Sequence, residues 1–237
     1  ADYGLKTPLL ISAIVGLLAF VISHFTLKES LVEKVEVSTG NNQSMVKDIV
    51  LSVKKPFFIP LVITLIMSFG LMSYETVLGL YVSDEFSVTP KEIAFMITST
   101  GLVSVVMQLF VVDRIVRLIG ELNVVKVFLI ITSFGFFLSI IAKTYEMFFA
   151  ISLIIFLATS ILRPVLTTLV SKLAGKEQGF AMGMNNAYMS IGNILGPLLA
   201  GALYDIRILY PFIAGLIILI ITTIFTFMWR AKPLKQA

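Results

Sequence analysis

Seven apolar segments, each long enough to cross a lipid bilayer, divide this chain of 237 residues. A transmembrane helix needs about 20 consecutive apolar residues, because the hydrocarbon core of a bilayer is about 30 Å thick. Backbone groups in lipid must be paired within their own segment, so segments of this length predict helices. The predicted spans are 8–26, 57–82, 93–112, 124–142, 145–170, 180–204 and 210–229. The sequence therefore predicts an all-α membrane protein with seven transmembrane helices.

The composition supports a membrane protein and excludes several other classes. Hydrophobic residues make up 58% of the chain and charged residues 14%, whereas soluble domains carry roughly 25% charged residues. The net charge of +4 comes from scattered basic residues without an aromatic-rich basic patch, so we predict no nucleic-acid partner. The sequence has no cysteine, no cluster with metal-ligand spacing and no P-loop, HExxH or GxSxG motif. We therefore predict no cofactor, no metal, no catalytic residue and no enzymatic activity.

The longest polar stretch, residues 28–55, separates the first span from the other six. It contains five lysines, four acidic residues and a Ser-Thr-Gly-Asn-Asn-Gln segment, a composition typical of a flexible linker. A short amphipathic piece is predicted near residues 45–53. All other loops are short, so the predicted plan is one helix, a linker and six closely connected helices.

Loop charge predicts the orientation of the chain. Thirteen of the 18 Lys and Arg residues fall in the linker, the C-terminus and the loops on their side, and four fall on the other side. Lys and Arg accumulate on the cytoplasmic side of membrane proteins. We therefore expect a cytoplasmic linker and C-terminus and an exterior N-terminus. An odd number of spans with an exterior start suggests an odd number of further spans upstream.

Two ionisable residues lie inside the apolar spans. Glu75 lies about three-quarters along the second span, and Arg163 lies in the fifth, directly before Pro164. A charge near mid-membrane costs about 2.5–3.5 kcal/mol on insertion scales, so such residues usually face a polar cavity or a partner charge. We interpret Glu75 as a carboxyl that gains and loses a proton, and Arg163 as its counter-charge or a gate element. A helix–helix hydrogen bond for either residue, or an interfacial Glu75, stays open as a structural alternative.

Two further motifs have a structural interpretation, and the second also has a functional one. A group of charged residues closes the third span, which for an isolated motif is typical of an ordinary membrane boundary. It comprises Asp113, Arg114 and Arg117. A glycine-rich stretch in the sixth span permits close helix packing and a bend, which would serve packing alone or a hinge. It comprises Gly192, Gly196, Pro197 and Gly201.

Together these segments resemble the C-terminal half of a major facilitator superfamily transporter. The likeness is greatest to bacterial multidrug:proton antiporters of the NorA and Bmr type and covers essentially the whole chain. The segments that carry it are Phe69-Gly-Leu-Met-Ser-Tyr-Glu75-Thr, Ile161-Leu-Arg163-Pro164, residues 174–181 and residues 192–205, which begin Gly-Asn-Ile-Leu-Gly-Pro.

The resemblance implies a fold of twelve helices in two six-helix bundles around a central cavity. Residues 1–26 would then be the last helix of a truncated N-terminal bundle, 27–56 the cytoplasmic linker between the bundles, and 57–237 the C-terminal six-helix bundle. Five helices of the N-terminal bundle would be missing. The expected location is a bacterial cytoplasmic membrane, with multiple passes and a cytoplasmic C-terminus.

The same resemblance implies proton-coupled efflux of amphipathic, cationic drugs by alternating access. The expected partners are the lipid bilayer, protons, small amphipathic substrates and the missing N-terminal bundle. Glu75 matches an acidic residue of the family's seventh helix and Arg163 an arginine of its tenth. Tyr74, an aromatic residue that could line a site for apolar cations, and Ser160 are predicted to join them in the cavity, although relatives carry an aspartate where this chain has Ser160.

The resemblance also gives roles to the two remaining motifs. Asp113, Arg114 and Arg117 resemble the family's loop motif between helices eight and nine and would form a cytoplasmic gate. The usual upstream glycine of that motif is Leu109 here. The glycine-rich stretch of the sixth span would be a packing hinge.

Three alternatives to drug export remain at this point. The chain could belong to a proton-coupled carrier of sugars or other small metabolites. It could also be a non-transporting membrane scaffold, which predicts that Glu75 and Arg163 are buried in dry protein contacts without a cavity. An intramembrane enzyme is the third, and the sequence offers no nucleophile–base pair or metal set for it.

Overall fold

The computed structural model describes residues 7–26 and 45–229. Nine α-helices account for the regular secondary structure in these two ranges. They are α1 (Thr7–Thr26), α2 (Met45–Ser52), α3 (Phe58–Phe86), α4 (Pro90–Phe110), α5 (Val112–Ile119), α6 (Glu121–Ile141), α7 (Tyr145–Ala174), α8 (Gln178–Ile206) and α9 (Tyr210–Met228).

Seven of these helices are long and apolar enough to cross a membrane. They are α1, α3, α4, α6, α7, α8 and α9, and their bounds agree with the predicted spans to within four residues. For the residues that the structure describes, the prediction of an all-α membrane protein with seven transmembrane helices is therefore confirmed. The amphipathic piece expected near residues 45–53 is also confirmed, as helix α2.

The chain divides into two compact units, residues 1–43 and residues 44–237. Helix α1 is the described part of the first unit, and its large apolar side chains are exposed, among them Phe20 at 69% and Phe25 at 80%. A helix that is apolar all round is stable where lipid or other helices cover it. The predicted division into segments 1–26, 27–56 and 57–237 stays a prediction.

Helix α3 lies at the centre of the second unit. It packs most extensively against α8 and also contacts α7 and α9, while α7 packs on α4 and α6. Aromatic rings fill the middle of this bundle: the ring of Tyr81 lies 4.8 Å from those of Phe148 and Phe212, and the ring of Tyr74 lies 5.2 Å from that of Phe136. Each such pair contributes about 0.5–1.5 kcal/mol beyond its burial of apolar area.

Helices α3 and α8 meet backbone against backbone. A Cβ atom on Gly192 would lie 2.4 Å from the carbonyl oxygen of Leu65, and one on Gly196 would lie 2.7 Å from that of Phe69. The hydroxyl of Ser73 donates a hydrogen bond to the Gly196 carbonyl at 3.1 Å. Glycine at these two positions is therefore what allows the two helices to touch.

Ion pairs and hydroxyl contacts hold the end of the bundle where α3, α6 and α8 begin, here called the linker end. Lys55 pairs with Glu177 at 2.6 Å, and Lys172 pairs with Glu121. The fully buried hydroxyl of Ser52 lies 2.9 Å from that of Tyr188, which fixes α2 on α8. At the opposite end, the hydroxyl of Tyr204 donates to Asp84 at 2.8 Å.

Candidate functional site

Glu75 lines a cavity of about 440 Å³ bounded by α3, α4 and α7. Its position follows from the helix geometry of α3, where residues 74 and 75 point about 100° apart around the axis. Tyr74 faces the aromatic core, so Glu75 faces outward from it. The other lining residues are Leu78, Ile97, Thr100, Gly101, Ser104 and Phe156.

The Glu75 carboxylate has no hydrogen-bond donor or cation in contact among the residues that the structure describes. The two hydroxyls in the cavity wall are already used, because Thr100 donates to the carbonyl of Ile97 at 2.8 Å and Ser104 to that of Thr100 at 2.9 Å. The side chain of Glu75 is exposed. An unpartnered carboxylate in a largely apolar cavity is available to bind a proton or an organic cation.

Arg163 lies on α7 at a different depth from Glu75. Phe156, which lines the cavity, precedes Arg163 by seven residues, or about 10 Å along the helix. Helices α3 and α7 are antiparallel, because Tyr74 bonds Ser152 at 2.6 Å while Leu61 and Val170 share a cluster at the linker end.

The charges of Glu75 and Arg163 interact through space. Long side chains lean toward the N-terminus of their own helix, so on antiparallel helices these two lean toward each other. Arg163 is exposed, and it exerts a coulombic effect on Glu75 without forming an ion pair. Both charges therefore remain open to a third group between them.

The side chains of Tyr74 and Ser160 lie away from the cavity that they were expected to share with Glu75 and Arg163. Tyr74 is 1% exposed, and its hydroxyl lies 2.6 Å from that of Ser152. Ser160 is 5% exposed, and its hydroxyl donates to the carbonyl of Leu157 at 2.8 Å. Both side chains lie in helix–helix contacts, because each occupies the face of its helix that points into the bundle.

The three charged residues at the predicted gate lie on a separate short helix, α5, where the apolar pattern predicts only the end of the third span. Asp113, Arg114 and Arg117 are exposed, while Ile115 and Val116 pack against the core. Apolar residues at positions 112, 115, 116 and 119 form one stripe, which was the available signal for this helix. None of these three residues forms an ion pair with any residue in the ranges 7–26 and 45–229.

The glycine-rich stretch divides into two groups. Gly192 and Gly196 contact the backbone of α3, whereas a Cβ atom on Gly201 would meet nothing within 4 Å. Pro197 lies inside α8 and removes the donor that would bond the carbonyl of residue 193. The side-chain oxygen of Asn193 is buried and has no partner in the described part of the chain.

Comparison with known proteins identifies the family. The model of the Major Facilitator Superfamily matches residues 60–237. The chain belongs to the Major Facilitator Superfamily. In this superfamily member, the match covers all six spans of the second unit from the first turn of α3 onward, and it confirms the family resemblance found in the sequence.

Relatives of this superfamily member are named for drug resistance. Multidrug resistance protein 2 of Bacillus subtilis is 37% identical over 98% of the chain and 59% of its own length. Multidrug resistance protein 1 of the same organism is 34% identical over 100% of the chain and 60% of its own length. Quinolone resistance protein NorA of Staphylococcus aureus is 30% identical over 93% of the chain and 58% of its own length. The chain thus spans about 60% of the length of these relatives.

Proposed function

We propose that this chain forms the larger part of a transporter that exports amphipathic, cationic compounds in exchange for protons. The observation that carries the proposal is the unpartnered Glu75 carboxylate in the cavity between α3, α4 and α7. The drug-resistance names of relatives that share 30–37% of their residues with the chain support it. A transporter moves its cargo unchanged, so no catalytic residue is needed.

In this mechanism, a proton and the cargo compete for Glu75. The ionised carboxylate attracts an organic cation, while the apolar wall formed by Leu78, Ile97 and Phe156 takes its hydrophobic part. Protonation neutralises Glu75, which removes the attraction and releases the cation. Arg163 would stabilise the ionised Glu75 until the proton arrives, because a nearby opposite charge favours the charged form of a carboxyl group.

Alternating access requires two bundles and a surface on which helices can move. We infer that residues 57–237 form the C-terminal bundle, that 27–56 form the cytoplasmic linker, and that 1–26 are the last helix of an N-terminal bundle completing the cavity wall. The smooth contact of α3 with α8 at Gly192 and Gly196 would serve as the packing hinge. The exposed charges of α5 would then latch the cytoplasmic gate.

The location proposed for the protein is a bacterial cytoplasmic membrane, with the linker end and the C-terminus in the cytoplasm. The biased distribution of Lys and Arg over the loops supports this orientation. The scaffold alternative predicted that Glu75 and Arg163 would lie in dry protein contacts. The exposure of both side chains and the cavity beside Glu75 favour transport over a scaffold.

A substrate screen in inverted membrane vesicles that contain the complete protein tests the function. With a pH gradient imposed, we expect accumulation of cationic dyes and of quinolones and no accumulation of sugars. The control is the same gradient collapsed by a protonophore, which should stop the movement. Sugar uptake without dye or quinolone uptake would instead favour the metabolite carrier.

Replacing Arg163 tests whether its charge takes part in transport. We expect Arg163→Gln to lower the initial rate of dye efflux about tenfold, equal to about 1.4 kcal/mol in the barrier. Arg163→Lys should retain most of the rate, since it keeps the charge at the same depth. Arg207→Gln, which removes a charge that lies over the Tyr210 ring at the opposite end of the bundle, is the matched control. An unchanged rate for Arg163→Gln would leave Arg163 a structural residue.

A further inference from the structure

A second depression in the bundle lies between α6 and α9, away from the Glu75 cavity. It is a groove of about 350 Å³, and it shares no lining residue with the cavity. The groove is lined by Ile130, Ser133, Phe134, Phe137, Leu216, Ile220, Thr223 and Ile224. Most of its apolar side chains are exposed, including Phe134 at 58% and Ile224 at 57%. In a membrane-spanning bundle, such a groove opens toward lipid.

The groove offers no free polar group along its length. Its two hydroxyls, Ser133 and Thr223, lie 3.3 Å apart at its floor. Each also donates to a carbonyl of its own helix, Ser133 to Leu129 at 2.8 Å and Thr223 to Leu219 at 2.7 Å. A ligand in the groove therefore makes apolar contacts, as a hydrocarbon chain does.

One cation stands at the linker end of the groove. Lys126 precedes Ile130 by one helical turn, and its ammonium lies 5.2 Å from the centre of the Phe227 ring. No carboxylate lies within ion-pair distance of Lys126 in the described ranges. A lysine in the second turn of α6 extends its ammonium to the headgroup layer while its stem stays on apolar surface.

The distance from Lys126 to the far end of the groove is close to the thickness of one leaflet of the bilayer. From Lys126 to Phe137 there are eleven residues of α6, and from Phe227 back to Leu216 there are eleven of α9, or about 16 Å along each helix. Half of the hydrocarbon core measures about 15 Å. The lining residues begin about one turn inward from Lys126, so an acyl chain in the groove would extend inward from a headgroup held at Lys126.

We propose that the α6–α9 groove binds an anionic diacyl phospholipid, with its phosphate on Lys126 and one acyl chain between the two helices. The charge selects an anionic headgroup over a zwitterionic one, and the apolar walls select a chain-bearing lipid over free phosphate. Basic residues between helices at the cytoplasmic face are a known form of lipid recognition. The proposed lipid site shares no lining residue with the Glu75 cavity.

The only tryptophan of the chain reports on this site. Trp229 directly follows the last residue of α9, two residues after the Phe227 ring that Lys126 contacts. The complete protein, with any other tryptophan replaced by phenylalanine, is placed in nanodiscs that contain phosphatidylcholine and phosphatidylglycerol. Bromine on the acyl chains of one lipid or the other then quenches Trp229 according to which lipid occupies the groove.

We expect brominated phosphatidylglycerol to show about fivefold higher relative occupancy than brominated phosphatidylcholine at equal mole fraction. This ratio corresponds to about 1 kcal/mol for one cation near an anionic lipid. Lys126→Arg should retain the preference and Lys126→Gln should abolish it.

Lys176→Gln is the matched control, because it removes the same charge from an exposed site at the same end of the bundle. It should leave the preference unchanged. Equal quenching by both lipids, or a preference that survives Lys126→Gln, would overturn the proposal. Because the readout is lipid occupancy, it is independent of whether the protein exports drugs.

Discussion

Glu75→Gln in the complete protein should abolish efflux driven by a pH gradient. Glutamine has nearly the same shape as glutamate but cannot release or bind a proton, so it uncouples cargo movement from the gradient. Because the Glu75 carboxylate has no partner in contact within the described residues, the substitution breaks no hydrogen bond or ion pair. We therefore expect normal expression and an unchanged thermal midpoint.

Uptake of a fluorescent cationic dye from the medium into inverted vesicles measures this effect. After acidification of the lumen, the initial rate for Glu75→Gln should fall at least about 100-fold, to that of vesicles without the protein, or about 2.7 kcal/mol in the barrier. Glu85→Gln is the matched control, since Glu85 lies on the same helix, is exposed and lines no part of the cavity. Undiminished pH-driven efflux by Glu75→Gln would remove Glu75 from the coupling role.

Gly192→Ala should destabilise the bundle more than any other single-methyl change in α8. The added Cβ would lie 2.4 Å from the Leu65 carbonyl oxygen and 2.8 Å from the Phe69 nitrogen. Both atoms belong to a helix backbone, which cannot turn aside as a side chain can, so α3 and α8 must separate. Overpacking of this kind typically costs about 1–3 kcal/mol.

The thermal midpoint in detergent, followed by loss of the monodisperse chromatographic peak, checks this prediction. We expect Gly192→Ala to lower it by about 5–10 °C. Gly201→Ala, on the same helix but with nothing within 4 Å of its added Cβ, should leave the midpoint unchanged or raise it. Equal midpoints for the two variants would show that the contact at Gly192 is looser than the structure has it.

Most of the fold could be predicted from the sequence, because each span is a local property. A run of about 20 apolar residues must form a helix in lipid whatever its neighbours are. Helix α7, for example, begins at Tyr145 in both the prediction and the structure. Helix α5 was not separated from α4, because its apolar stripe is only eight residues long and adjoins a longer apolar run.

The site could be predicted only in part. Glu75 was identified because a charge in an apolar span is conspicuous in any sequence. Its neighbours Thr100 and Ser104 were missed, because hydroxyls are common in membrane helices and become cavity residues only through the packing of α4 on α7. Tyr74 was assigned to the cavity because an aromatic ring can line a site for apolar cations, but its ring points about 100° around the helix from Glu75 and faces the core.

The sequence by itself determined which segments cross the membrane, where the ionisable groups lie along them and to which superfamily the chain is related. Hydrophobic length and residue identity carry that information without reference to any contact. Only the tertiary structure decided that Gly192 and Gly196 touch α3 while Gly201 does not, and that Glu75 faces a cavity while Tyr74 faces the core. Those distinctions depend on the rotation of each helix about its axis, which is set by the helices it packs against.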